Sequence, residues 1–494
     1  MIRNTLQLLF PNLCQQRLAK TRAKNQSEAS AFVSHGLHFS VTDIAQTVVS
    51  TALPTIAKDL HIAQFVWIGS TYALANAAIL PLCGGLAQVF SRKPVILGSL
   101  ALFAAGSAIG GAAPNEGTLF SARILQGMGG GGILALCTII VSDLVSLAWC
   151  FSGGIGPVVG GALAQQGKWR WIFYMNIPIA AFSFFMTLFT LRLPIPPGAM
   201  KEKFMKIDWG GNTIIIGSTA ACSIGLTWGG IEFSWTSAHV LVRLILGVVG
   251  IGTFLLYEAT MSKFLLVPFH IIANRTSLSG YVMNYHRDTS RPYHYLPVYY
   301  QACKDASPTA SGVDLFGIVF SIAPITMLTG ISVNVFKKYR PQLWSGWAVL
   351  VLGSGLLSMI TADSSRAKSI GIQIVNGLGI GLLYMNLYFP ILAPLPITST
   401  AQALAFYNYL RALAQTWGVT IGSTVLQNQL KSRLPPDFSQ LFPEGVEIAY
   451  AAIGLLASLL MRGLPLHTQL DKKWEMEHGP ADEMSGEHQP VTSK

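Results

Sequence analysis

From Phe65 to Phe90 the chain reads FVWIGSTYALANAAILPLCGGLAQVF, twenty-six residues without a charge, and Ser91, Arg92 and Lys93 follow at once. About 20 apolar residues in a helix span the hydrocarbon core of a bilayer, where no water can satisfy an unpaired backbone group. A run of this length commits the segment to a membrane-crossing helix, and the basic turn behind it assigns that end to the cytoplasm. Composition extends the conclusion to the whole chain. Of the 494 residues 51% are hydrophobic and only 11% charged, too few charges to solvate the surface of a soluble protein this long. The net charge of +11 does not point to nucleic acid, because the basic residues sit in short clusters between apolar runs, where they orient helices.

Eleven windows are apolar enough to span: 65–90, 94–113, 119–141, 147–166, 171–191, 209–228, 238–257, 313–336, 343–361, 370–394 and 403–426. Three more are compromised. The first, 33–56, carries His35, His38 and Asp43; the second, 279–301, carries His286, Arg287, Asp288, Arg291 and His294; the third, 446–461, is short. Arg3, Arg17, Lys20, Arg22 and Lys24 precede the first span, and Arg462, Lys472 and Lys473 follow the last, so both ends are expected in the cytoplasm. Only an even number of crossings satisfies that, and fourteen does. Lys168/Arg170 and Lys431/Arg433 are the basic pairs that this topology leaves on the wrong side.

The expected organisation is an all-α polytopic membrane protein with a cytoplasmic tail over 1–30, a six-helix bundle over 31–192, and a linker with two extra helices over 193–278. A second six-helix bundle over 279–465 and a disordered tail over 466–494 complete it. A weak internal repeat supports paired bundles: GGLAQVFSR at Gly84–Arg92 and GISVNVFKK at Gly330–Lys338 match in glycine, carboxamide, Val-Phe and base, each at the cytoplasmic end of a span. Cys14, Cys83, Cys137, Cys150, Cys222 and Cys303 lack the spacing of metal or redox motifs. GMGGGG at 127–132 lies inside a span, so it is a packing face and not a phosphate loop. No metal or other cofactor is called for.

These residues carry a resemblance. GGLAQVFSRK (84–93), RILQGMGG (123–130), SGGIGPVVGG (152–161), TVVSTALP (47–54) and WRWIFYMNIP (169–178) occur in the order found in the major facilitator superfamily. Together they resemble its fourteen-spanning drug:proton antiporters, in particular fungal efflux pumps for drugs, toxins and secondary metabolites. The resemblance implies two six-helix bundles plus two extra helices, and alternating access driven by protons. It implies roles in proton coupling for Arg123, with Gln126 one turn on, and in the exporter-associated antiporter motif for Gly156, Pro157, Gly160 and Gly161. Gly84 and Gly85, which let helices approach closely, and Arg92 and Lys93, which suit a carboxylate or a helix C-terminus, would form a cytoplasmic gate.

The chain also departs from the family. Gln88 stands where the family has an acid and Ser91 where it has glycine; Ala45 occupies the acidic position of the first span. Asp43 lies two residues earlier, roughly 200° around a helix, so it does not present the same face. The link between Ile140 and Gly153 lacks the family's basic residues, leaving Asp143 as its only charge, and 284–294 is polar where the family is apolar. Small lesions in the gene would account for both. For the substrate cavity the candidates are Tyr72 and Asn76 on one face of their span, Asn386, and Tyr407 with Arg411 one turn apart.

The expected function is proton-coupled export of small amphipathic organic compounds by a monomer in the bilayer, at the plasma membrane in preference to the vacuole. Two alternatives stay open: a vacuolar transporter of basic amino acids with the same fold, and a transport-impaired product of a damaged gene. A membrane enzyme would need acid–His pairs or a nucleophile elbow, which the sequence lacks.

Overall fold

The computed structural model describes residues 42, 44–62, 66–137, 142–191, 201, 207–230, 232–262, 269–289, 296–361, 363–396 and 399–433. Asp43, the window near 446–461 and both expected tails lie outside the described residues. So does the Arg291–His294 part of the polar stretch.

Thirteen helices organise what is described: α1 over 44–59, α2 Val66–Phe90, α3 Arg92–Gly111, α4 Glu116–Cys137, α5 Ser142–Gln165, α6 Asn176–Thr190, α7 Trp209–Trp228, α8 Ala238–Thr260, α9 Arg275–Thr289, α10 Phe316–Phe336, α11 Arg340–Leu357, α12 Arg366–Asn386 and α13 Thr400–Arg433. Shorter helical pieces, Trp171–Tyr174, Phe269–Ile272, Leu296–Cys303, Pro308–Val313 and Tyr388–Leu392, join them. No strand occurs among the described residues, only an isolated bridge between Gly229 and Phe233. A helix occupies each of the eleven apolar windows, and seven of the described helical segments are long and apolar enough to cross a membrane. That is what a bilayer requires of a chain this apolar, since each helix satisfies its own backbone.

Helices α1–α6 and α9–α13 lie in the chain on either side of α7 and α8, here taken as two sets, and the sequence repeat relates parts of them. In α4, RILQGMGGG (123–131) has its counterpart in α12, QIVNGLGIG (373–381). The packing is parallel as well. A Cβ placed on Gly129 would stand 2.6 Å from the Ser99 carbonyl oxygen on α3, and one on Gly379 would stand 2.6 Å from the Leu350 nitrogen on α11. The turns also agree, because Ser91 and Lys337, matched by the register of the GGLAQVFSR repeat, both have positive φ, 79° and 54°.

Two seams bring the sets together. At one, α5 packs against Pro308–Val313 and α10; at the other, α13 packs against α2, with the Thr416 hydroxyl donating to the Ala73 carbonyl at 3.0 Å. The repeat register pairs α2 with α10, so the two seams are related copies. Helices α7 and α8 pack on each other and α7 touches α2 and α13, while Val248 and Leu256 of α8 are 64% and 65% exposed, an apolar surface suited to lipid.

Candidate functional site

Arg123 is buried in the N-terminal set at 1% exposure. Its Nε donates to the Ile68 carbonyl at 2.9 Å, and its Nη1 donates to Gln126 Oε1 at 2.9 Å and to the Ala45 carbonyl at 3.4 Å. Gln126 Nε2 in turn donates to the Ser107 hydroxyl at 2.8 Å. The guanidinium lies 4.5 Å from the centre of the Tyr72 ring, whose hydroxyl donates to the Thr42 carbonyl at 3.3 Å. Although Arg123 begins only two turns into its helix, it does not snorkel outward. Its fork joins α1, α2 and α4, as suits the rigid planar donor array of arginine. A cleft beside it is lined by Gln46, Val49, Ser50, Leu53, Gly69, Ala73 and, from the other set, Val419. Tyr72 therefore serves as the floor under Arg123, and Asn76 abuts Gly127 and Gly131 of α4. The face that these two residues share is packed against α4.

The equivalent of Arg123 in the second set is Gln373, which donates to the Tyr300 hydroxyl at 2.7 Å. Asn376, the equivalent of Gln126, donates to the Ser354 hydroxyl at 3.3 Å. Sequence reasoning missed this pair although the signal was present in the QIVNGLGIG segment; neutral side chains in a span attract less notice than a cation.

At the basic turn, Lys93 Nζ donates to the Leu188 carbonyl at 2.8 Å, in the last turn of α6, where orphan carbonyls and the helix dipole favour a cation. Arg92 is buried. Ser91 sits at φ 79°, ψ 157°, a region glycine enters freely and other residues at a cost, which accounts for the glycine of the family pattern. Among the described residues none approaches Gly84 or Gly85 closely: a Cβ on either would meet nothing within 4 Å.

The SGGIGPVVGG helix, α5, has contacts on two sides. Toward α1, Gly156 faces Thr47 and Gly160 faces Val48 and Thr51, and the Thr51 hydroxyl donates to the Pro157 carbonyl at 2.9 Å. Toward the other set, Gly161 abuts Pro308 and Thr309, while a Cβ on Gly312 would stand 2.6 Å from the Pro157 oxygen. Thr309 donates to Gln165 Oε1 at 2.6 Å, and Gln301 Nε2 donates to the Thr51 carbonyl at 3.0 Å. The missing side chains on α5 are what permit backbone-to-backbone contact across the seam.

The polar stretch from residue 284 begins as helix, not as an interruption. Asn284, Arg287 and Asp288 on α9 are buried. Arg287 and Asp288 form an ion pair in direct contact, and Arg411 Nε lies 3.8 Å from Asp288 Oδ1. Arg411 Nη2 donates to the Tyr384 hydroxyl at 2.9 Å, and Asn284 Nδ2 donates to the Tyr407 carbonyl at 3.0 Å. Of the remaining cavity candidates, Tyr407 and Arg411 join this cluster, while Asn386 donates back to Leu382 in its own helix at 2.9 Å. Arg170, which breaks the inside-positive pattern, pairs with Asp59 at 3.2 Å and lies 4.3 Å from the Trp169 ring centre; its charge is spent on a local contact at the helix ends.

The family profile of the Major Facilitator Superfamily matches residues 37–419. The chain belongs to this superfamily. Among curated members, it is 35% identical over 421 residues to the efflux pump FUS6 of Gibberella moniliformis, covering 82% of this chain and 75% of that one. It is 32% identical over 504 residues to the MFS-type efflux pump LUC4 of a Fusarium species, covering 90% and 89%. A third relative, the acurin A biosynthesis cluster MFS-type transporter of Aspergillus aculeatus, is 34% identical over 415 residues, covering 81% and 75%. The superfamily fold is also found in a solved structure, that of the human organic anion transporter MFSD10, with a TM-score of 0.56, 13% identity, and coverage of 88% of this chain and 99% of that one. The protein is thus a multi-pass membrane transporter of the superfamily, with fungal efflux pumps and a secondary-metabolite cluster transporter among its relatives.

Proposed function

We propose that this chain exports small amphipathic organic compounds, such as secondary metabolites, toxins or drugs, from the cell in exchange for protons, by alternating access at the plasma membrane. The bundles over 31–192 and 279–465 rock about the two seams, and the helix pair of the 193–278 linker rides outside them. The observation that carries this reading is α5: a glycine-lined helix with backbone contacts to α1 on one side and to Pro308–Val313 on the other. Smooth faces held by a few hydrogen bonds part and reseal with little repacking. Arg123 and Gln126 form the polar centre on the proton side, with Asp43 as the nearby acid in the sequence. That the relatives FUS6 and LUC4 are efflux pumps favours export over import.

The test is accumulation of a lipophilic fluorescent dye in cells stripped of their own efflux pumps. Cells making this protein should hold less dye than vector controls, and a proton uncoupler should erase the difference. A difference that persists under the uncoupler counts against proton coupling, and no difference counts against export.

A further inference from the structure

The cluster around Arg411 has donors that its neighbours do not use. Arg411 is 3% exposed and Tyr407, one turn earlier on α13, is 0% exposed. Among the described residues neither Arg411 Nε nor the Tyr407 hydroxyl makes a hydrogen bond. Asp288 stands 3.8 Å from Arg411, near enough to attract it and too far for a hydrogen bond, and it is in contact with Arg287 as well. The surroundings are aromatic: the Arg411 guanidinium lies 5.2 Å from the Tyr384 ring centre, and Tyr407 and Tyr388 have ring centres 4.3 Å apart. A guanidinium donor and a phenol donor on one helix face, beside flat apolar rings, complement one kind of ligand, an oxyanion attached to an apolar or aromatic body.

We propose that Arg411 and Tyr407 recognise a carboxylate on the transported solute, so that this protein's substrates are amphipathic organic acids. In the conformation described here Asp288 supplies the cluster's carboxylate from within the protein, and the solute's carboxylate takes over Arg411 when the seams open. The inference rests on the export reading above, and its test is separable from that reading.

The purified full-length protein in detergent is titrated with naphthoate and with the uncharged naphthamide, reading quenching of tryptophan fluorescence. Naphthoate should bind about tenfold more tightly than the amide, in keeping with the strength of a charge-assisted pair. Arg411→Gln should bring the two to equal affinity. Tyr407→Phe, which keeps the ring against Tyr388, should weaken naphthoate severalfold and leave naphthamide unchanged, and it carries the test if Arg411→Gln fails to fold. Equal binding of acid and amide, no binding of either, or indifference of naphthoate to both substitutions overturns the proposal. Export is read separately in pump-deficient cells with naphthoate and with an uncharged lipophilic dye: efflux of the dye without a binding preference for naphthoate sinks the organic-acid assignment alone, and a naphthoate preference without efflux of either compound sinks the export reading alone.

Discussion

Removing the Arg123 side chain would strip α4 of its links to Ile68 on α2 and Ala45 on α1 and break the bond to Gln126 within α4, each a hydrogen bond from a charged donor worth about 1.5–3 kcal/mol. Arg123→Ala is therefore expected to lower the thermal midpoint in detergent and abolish efflux. Arg123→Lys keeps the charge without the fork, and should fold while retaining only a fraction of wild-type efflux. Ala45→Asp would set a carboxylate at a position whose backbone Arg123 already contacts; it should make efflux faster and more sensitive to an uncoupler, and unchanged kinetics would mean that coupling does not need an acid there. Ser91→Gly relieves a backbone conformation that costs about 1–3 kcal/mol for a residue with a side chain. A higher thermal midpoint with unaltered transport is the expected outcome. At this scale the sequence made Arg123 and Gln126 legible as a pair, because an i, i+3 spacing puts both on one face. It did not reveal Ser107 or the Ala45 carbonyl as partners, which tertiary packing alone supplies. Tyr72 and Asn76 share a face in the way periodicity implied, yet that face meets a neighbouring helix.

Along α5 the decisive contacts are with backbone, so added volume there should act on conformation more than on folding. Gly312→Val pushes against the Pro157 carbonyl, from which a Cβ would already stand 2.6 Å, and should hold that seam apart. With the six native cysteines replaced, a cysteine at Thr309 should react with a membrane-impermeant maleimide severalfold faster in Gly312→Val than in its absence; equal rates would mean that the seam does not move. Helices themselves were readily legible, since each apolar window folds as one. The polar stretch was not. Asn284, Arg287 and Asp288 look like an interrupted span when hydropathy is averaged, and only the partners on α13 and at Tyr384 reveal that α9 turns them inward.

The repeat organises the whole molecule. Gly84–Arg92 against Gly330–Lys338 is a faint match in sequence, but the structure extends it to α4 and α12, to the paired hydrogen bonds Gln126–Ser107 and Asn376–Ser354, and to positive φ at Ser91 and Lys337. What the halves do not share is buried charge: Arg123 has Gln373 opposite it, and the buried arginines described in the second half, Arg287 and Arg411, lie on α9 and α13. Composition and periodicity cannot reveal that asymmetry, because it depends on which helix faces which. The two sets meet along α5 and α13, helices that the repeat makes equivalent, so the proposed rocking would turn about a pair of related seams. Transport by the purified protein in proteoliposomes under an imposed pH gradient puts proton-coupled export to the test. A lipophilic substrate dye should move against its gradient toward the acidic side, and cease to do so when the pH difference is collapsed. Movement that ignores the pH difference, or none in vesicles where the protein is folded, would contradict proton-coupled export.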